Sequence, residues 1–268
     1  MCENKNSVFP EVITPISNAI QQNIPNTANE TDSALSTVVG FFNNVVLYPV
    51  KKANLTFKYK LEDFKDDLEK KTQHIPAENL QVPPTMIAGP ILESLRYTYD
   101  EDELREMYEN LLVSAMDNRT VSQAHPSFVD AIKQMSVTDA QVIKKISELD
   151  NNVSCAEVFF NIKESTNIYK DAMPNYFVEE LLDIGDPFII SASLINLQRL
   201  GIIKITEMGL KSVDYNLMKK HPYVLAREML YRQEGKYDFE ISVIGHAIVL
   251  NNYGKQFVKT CLPKKDGI

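Results

Sequence analysis

Apolar residues recur at helical spacing along most of the chain and at strand spacing only in its last third. From Ser33 to Val50 no residue is charged, and Leu35, Val38, Val39, Phe42, Val45 and Val46 fall on one stripe. Ser36, Thr37, Asn43 and Asn44 lie largely off it, so the pattern predicts an amphipathic helix, capped by Asp32 or Ser33 and ended by Pro49. Residues 51–75 predict a second helix, with Leu55, Tyr59, either Leu61 or Phe64, and Leu68 on its buried side, closed by Ile75-Pro76. After a turn at Gln81-Val82-Pro83-Pro84, residues 85–97 predict a third, which Gly89-Pro90 should bend or split. The clearest helix is 100–116. Asp100, Glu101, Asp102 and Glu103 fill its first turn, where carboxylates suit the helix dipole, and Leu104, Met107, Tyr108, Leu111, Leu112 and Ala115 form the buried face.

Farther along, Ser136-Val137-Thr138-Asp139 caps a helix over 139–149 whose inner face is Ala140, Ile143, Ile146 and Leu149. The Val/Phe/Ile-rich run 153–162 fits a short strand or an irregular helix. Pro174 starts a predicted helix to 184, and Asp186-Pro187 starts another over 188–200, stopped by Gly201. A strand follows at 202–205, and 239–244, Gly245-His246 and 247–250 look like a hairpin. The last helix runs from Asn251 or Asn252 to Cys261. Three helices, then a strand and a hairpin, is the order of a winged helix-turn-helix, with 207–236 as an enlarged insertion. The expected fold is mainly α: a helical module at 33–135, then a winged-helix-like α+β module with a small antiparallel sheet at 136–262. Residues 1–32, rich in Asn, Pro, Thr and Gln, and residues 263–268 are expected as poorly ordered tails.

Composition narrows the partners. The 268 residues are 44% hydrophobic and 24% charged, enough to bury a core, and the net charge of −8 weighs against a dedicated nucleic-acid binder. Only 51–75 is basic, with seven Lys against five acids, and its signs alternate as on a solvated helix face. The third helix of a DNA-binding winged helix displays bases, whereas 188–200 carries one, Arg199. Lys219, Lys220 and Arg227 are the bases of the insertion that could meet phosphate, and nucleic acid is disfavoured as a partner. Three Cys cannot pair completely, which fits a reducing compartment, and the start Met1-Cys2-Glu3-Asn4 lacks a secretory pattern. A cytoplasmic location is expected.

Chemistry is sparse. No phosphate-loop, dinucleotide, nucleophile-elbow or zinc-protease motif occurs, and Cys2, Cys155 and Cys261 are far apart. His74, His125 and His221 each lie within two residues of a Pro, where turn structure accounts for them. A Cys–His or Ser–His pair assembled by the fold stays open, though no spacing favours one. The four acids at 100–103 fit capping better than a metal. No catalytic residue, metal or cofactor is therefore expected, and the chain is expected not to be an enzyme. Segment 33–50 admits three uses: a core helix, a contact between copies, or a membrane-touching helix broadened by Phe41 and Tyr48.

Several blocks carry a family resemblance. Pro90-Ile91-Leu92-Glu93-Ser94-Leu95, Asp102-Glu103-Leu104-Arg105-Glu106-Met107 and Asn110-Leu111-Leu112 resemble the Abi-alpha domain family. So do His125-Pro126-Ser127-Phe128, Ile132-Lys133-Gln134-Met135-Ser136, Asn196-Leu197-Gln198-Arg199-Leu200-Gly201 and Tyr253-Gly254-Lys255-Gln256-Phe257-Val258. The resemblance implies a bacterial abortive-infection protein acting in phage resistance, with no catalytic residues to carry over. The His-Pro-Ser-Phe block also has a structural use, opening a helix over 128–135 with Ser127 as cap and Phe128 as anchor. The expected role is antiphage defence by protein–protein contact with a host or phage protein, as sensor or growth-arresting component. The alternatives are a membrane-perturbing effector using 33–50 and a DNA-binding regulator. Candidate interaction residues are Phe41, Phe42, Tyr48, His125, Phe128, Arg199, Lys219 and Lys220. The pattern leaves the oligomeric state open.

Overall fold

The computed structural model describes residues 55–149, 152–163, 172–233 and 238–263. The expected helix at 33–50, with Phe41, Phe42 and Tyr48, lies outside the described residues, as does the segment 1–32. Two compact units divide the rest: residues 55–133 with 260–263, and residues 134–259.

The first unit contains helices α1 (Leu55–Thr72), α2 (Thr85–Thr98), α3 (Asp102–Met116) and α4 (Ser127–Lys133). Its core takes Phe64 and Leu68 from α1, Ile91 and Leu95 from α2, Tyr108, Leu111, Leu112 and Ala115 from α3, and Phe128 and Ile132 from α4, all fully buried. Tyr59, expected inside, is 58% exposed. Five residues separate it from Phe64, about 140° round a helix, so the two cannot share a face. Pro90 lies within α2 without splitting it. The carbonyl that loses its partner belongs to Met86 in the first turn, a residue 64% exposed, so the loss falls at the solvent-facing start of the helix. Helix α3 starts two residues later than the run of four acids, because Asp100 is engaged by Lys60 Nζ at 2.6 Å and Glu101 is the cap residue.

In the second unit come α5 (Val137–Glu148), β1 (Asn152–Ile162), α6 (Pro187–Arg199), β2 (Ile203–Ile205), α7 (Pro222–Gln233), β3 (Phe239–Leu250) and most of α8 (Asn252–Cys261). Local signals placed the helix ends. Ser136 Oγ accepts from Asp139 N–H (3.1 Å) while Asp139 Oδ2 accepts from Ser136 N–H (2.7 Å), a reciprocal cap. Asp186 Oδ1 accepts from Phe188 N–H (2.8 Å) and Pro187 takes the first helical position. Gly201, at φ +73°, ends α6: its N–H bonds Gln198 O and that of Ile202 bonds Leu197 O, each at 3.0 Å.

One open choice closes and two expectations change. The run 153–162 is a strand, the first of the two alternatives. Residues 174–184 are not an α-helix. Phe177 exchanges two backbone bonds with Ala156 (2.8 and 2.9 Å) along the edge of β1, leaving room only for a 3-10 turn at Glu179–Leu181. The expected hairpin is instead one strand, β3, paired antiparallel with β1 from Asn152↔Val249 to Ile162↔Phe239 and with β2 on its other side. Gly245 sits mid-strand, not in a turn, because Tyr215 lies against it. A Cβ there would stand 2.5 Å from Tyr215 Cδ2, and one on Gly209 would overlap Cε2 of the same ring. Tyr215 is held between the two glycines by its hydroxyl, which donates to His246 O (2.6 Å) and accepts from Leu210 N–H (2.9 Å).

The sheet order is β1-β3-β2. With α5 before β1 and α6 before β2, this is compatible with a winged helix whose second helix has shrunk to the 3-10 turn. Ala156, Val158, Phe160, Phe177, Val224 and Phe239 are buried together on one sheet face, with Phe160 and Phe239 stacked at 5.0 Å. Among the described residues no helix is long and apolar enough to cross a membrane.

Candidate interaction surface

The residues singled out from sequence separate. His125 is exposed at the start of α4, and its Nδ1 accepts from Ser127 N–H (3.2 Å) and lies 2.7 Å from Ser127 Oγ. Histidine, not Ser127, thus meets the helix start, and Ser127 is the first helical residue. Phe128 is fully buried and cannot meet a partner. Arg199 is exposed, but its Nη1 donates to Gln134 Oε1 (3.0 Å) and its Nε and Nη2 to Asn196 Oδ1 (3.0 and 2.8 Å). Asn196 in turn donates to Asp139 Oδ2 (2.9 Å), so this arginine braces α6 against the cap of α5. Around it α6 exposes Phe188, Ile189 and Ile195, an apolar face where a DNA reader carries bases. Lys219 and Lys220 end the 3-10 helix Tyr215–Lys220, immediately ahead of α7.

Helix α7 presents the feature that sequence reasoning passed over inside the insertion. Its inner side is fixed: Val224 is buried, and Arg227 Nε donates to Ala172 O (2.7 Å) with its guanidinium over the rings of Phe188 and Tyr231. Its outer side is also apolar. Leu225, Met229 and Leu230 are 46%, 64% and 52% exposed, at spacings of four and five residues, with Ala226 exposed between them. Leu225, Glu228, Met229, Arg232 and Gln233 line an open depression of about 460 Å³. Arg232 holds Glu228 at 2.9 Å along its rim. The sequence signal was there, because apolar residues surround this helix on both sides, but that leaves no single stripe to stand out.

A second cluster lies on the sheet face opposite the buried aromatics. Cys155 and His246 are direct partners in the β1–β3 register, so the fold does bring a cysteine and a histidine together. His246 Nδ1 is 2.7 Å from Thr206 O, and Glu157 Oε1 is 3.1 Å from Nε2 but off the line of the N–H bond. Tyr176 meets the imidazole edge-on. Burial first, then the Glu157 and Glu180 carboxylates, pushes the Cys155 thiol far up, away from the thiolate that nucleophilic chemistry requires. Among the described residues no group of His, Cys, Asp and Glu is placed to hold a metal. In the first unit Glu109 is buried beside Lys71 (2.8 Å) and Arg105 (3.6 Å), yet burial outweighs both and raises its pKa.

The family model described as abortive infection alpha matches residues 56–261, most of the chain. No curated protein and no solved structure matches.

Proposed function

Since the chain belongs to the abortive infection alpha family, we propose that it acts in phage defence without catalysis, by binding a host or phage protein through the outer face of α7. The observation that supports this is the exposed pair Leu225 and Met229, one turn apart on a helix whose opposite side is already packed. Apolar side chains left in water at helical spacing are what a partner helix or groove covers. A rigid scaffold behind them, tied by Arg227, presents the pair without a folding cost at binding.

The test is plating efficiency of phage on cells carrying the chain. Leu225→Asp with Met229→Asp removes protection while circular dichroism stays unchanged, because both side chains lie outside the core. Growth without phage separates the two forms of the role: arrest on expression alone marks a growth-arresting component, and arrest only on infection marks a sensor. The rival reading is an enzyme built on the Cys155–His246 pair. It predicts the reverse pattern, with protection lost in Cys155→Ala and kept in the α7 variant.

A further inference from the structure

We infer that the free half of β3 pairs with the same strand of a second copy of this chain, antiparallel across a twofold axis, which joins the two sheets into one. Strand parity fixes which backbone groups are available. Ala156 exchanges both of its bonds with Phe177 on the outer side of β1, so it makes none to its own partner in β3, Gly245. Gly245 therefore directs its N–H and C=O away from β1, and so do Val243 and Ile241, two and four residues back. Ala247, two residues on, obeys the same parity, because its C=O accepts from Thr206 N–H (2.9 Å) just past the end of β2. Strand β2 has only three residues and lies opposite Ile248, Val249 and Leu250. Beyond Ala247, and among the described residues, the outward groups of Ile241, Val243 and Gly245 have no partner. At the far end Arg232 Nη2 reaches Phe239 O at 3.4 Å.

A row of outward N–H and C=O groups at two-residue spacing is satisfied by extended backbone, and by neither a helix nor a lipid surface. Sheet edges that stay single carry Lys, Pro or a bulge against such pairing. Residues 239–245 read Phe-Glu-Ile-Ser-Val-Ile-Gly, with their register on β1 unbroken. The outer edge of β1 is the less open of the two. Phe177 already bonds it at Ala156, and Ala172 and Met173 pack in one cluster with Val158 and Phe160. Strand β2 sets the register of the second copy: Thr206 holds Ala247, so the incoming strand begins with its Phe239 opposite Gly245. Ile241 then faces Val243 of the second copy and Val243 faces its Ile241, two pairs that exchange four backbone bonds. Ser242 lies on the axis, opposite itself. Glu240, the single charge in the run, falls opposite Ile244, which is 49% exposed, and not opposite its own copy. Paired with itself in this register, the strand matches each donor with an acceptor and brings no like charges together.

The experiment is sedimentation equilibrium of the full chain over a range of concentrations, at two salt concentrations. The wild type is a reversible monomer–dimer system. Ser242→Lys and Ser242→Glu, each alone, set like charges opposite one another on the axis and weaken the dimer about fivefold or more. An equimolar mixture of the two puts Lys against Glu. It forms a dimer with one copy of each, about tenfold or more tighter than either variant with itself, and the gain shrinks at the higher salt. Ser242 Oγ accepts from Asn161 Nδ2, a bond both variants lose alike, so its loss cancels in the comparison. Val243→Pro removes one outward N–H and none of the bonds between β1 and β3, so it keeps its circular dichroism and is monomeric. If Val243→Pro does not fold, the Ser242 variants decide by themselves. A wild type that stays monomeric at every concentration overturns the inference, as does a mixture no tighter than its components. The dimer is unchanged in Leu225→Asp with Met229→Asp; its loss there would place the contact on α7 and overturn the inference.

Discussion

Gly245→Ala tests the strand that replaces the expected hairpin. An added Cβ would lie 2.5, 2.6 and 2.7 Å from Cδ2, Cγ and Cε2 of Tyr215, where ordinary contact begins at 3.4 Å. The ring must move by almost an ångström, and it has little freedom to do so. Gly209 is against its other face, and two hydrogen bonds fix its hydroxyl. Overpacking of this kind costs about 1–3 kcal/mol, and each displaced hydrogen bond about 1 kcal/mol. Alanine's advantage over glycine within a strand returns about 0.5–1 kcal/mol, so with both hydrogen bonds displaced the net loss is about 2–4.5 kcal/mol. Urea unfolding followed by far-ultraviolet circular dichroism reads this as a lower midpoint at unchanged slope. The decisive comparison is the same substitution in a Tyr215→Ala background. With the ring gone, and with backbone dihedrals any residue can adopt, Gly245→Ala becomes neutral or stabilising by up to about 1 kcal/mol. A cost that is the same in both backgrounds would mean that Gly245 serves as a turn glycine, and the continuous β3 would be wrong.

Gly201→Ala forces a side chain into the left-handed region at φ +73° and costs about 1–2 kcal/mol by the same unfolding assay; a loss below half of that would contradict the helix ending described. Ser136→Ala removes one half of the reciprocal cap on α5 and costs about 1 kcal/mol, whereas Ser147→Ala, in the last turn of α5, costs less. Glu109 gives a pH dependence. Its carboxyl pKa is raised by burial, so the folded chain holds the proton more tightly than the unfolded one. Wild-type stability therefore falls as pH rises from the ordinary carboxylate range through the raised value, and Glu109→Gln escapes this loss. The melting temperature of Glu109→Gln relative to wild type should climb between pH 4 and pH 7; a difference flat across that range refutes the burial argument.

What the pattern of residues disclosed was local. The apolar face of α3, the Ser136 and Asp186 caps and the Gly201 stop all depend on neighbours within a few positions, and each was found where the spacing put it. The failures share a cause. A glycine marks a turn or a close approach with the same letter, and only Tyr215, far back in the chain, decides between them at Gly245. Pro174 announces a helix start, but the backbone of Phe177 finds better partners on Ala156, which no periodicity reveals. Tyr59 and Phe64 were both apolar choices for one face, and the rotation of α1 admits only Phe64. The outer row of α7 was hidden because its inner side is apolar as well. The Cys155–His246 juxtaposition follows from the β1–β3 register, which belongs to two strands widely separated in sequence. Arg199 looked available as a lone base, and only the structure shows its donors taken by Gln134 and Asn196.

The central claim is that the outer face of α7 meets a protein during infection. A photo-crosslinking amino acid placed at position 229, with Tyr97 of the first unit as an exposed control position, tests it in phage-challenged cells. The account predicts a discrete protein adduct at 229 that disappears when Leu225→Asp is added and that position 97 does not form. Adducts to lipid alone at 229, or the same adduct from position 97, would contradict it.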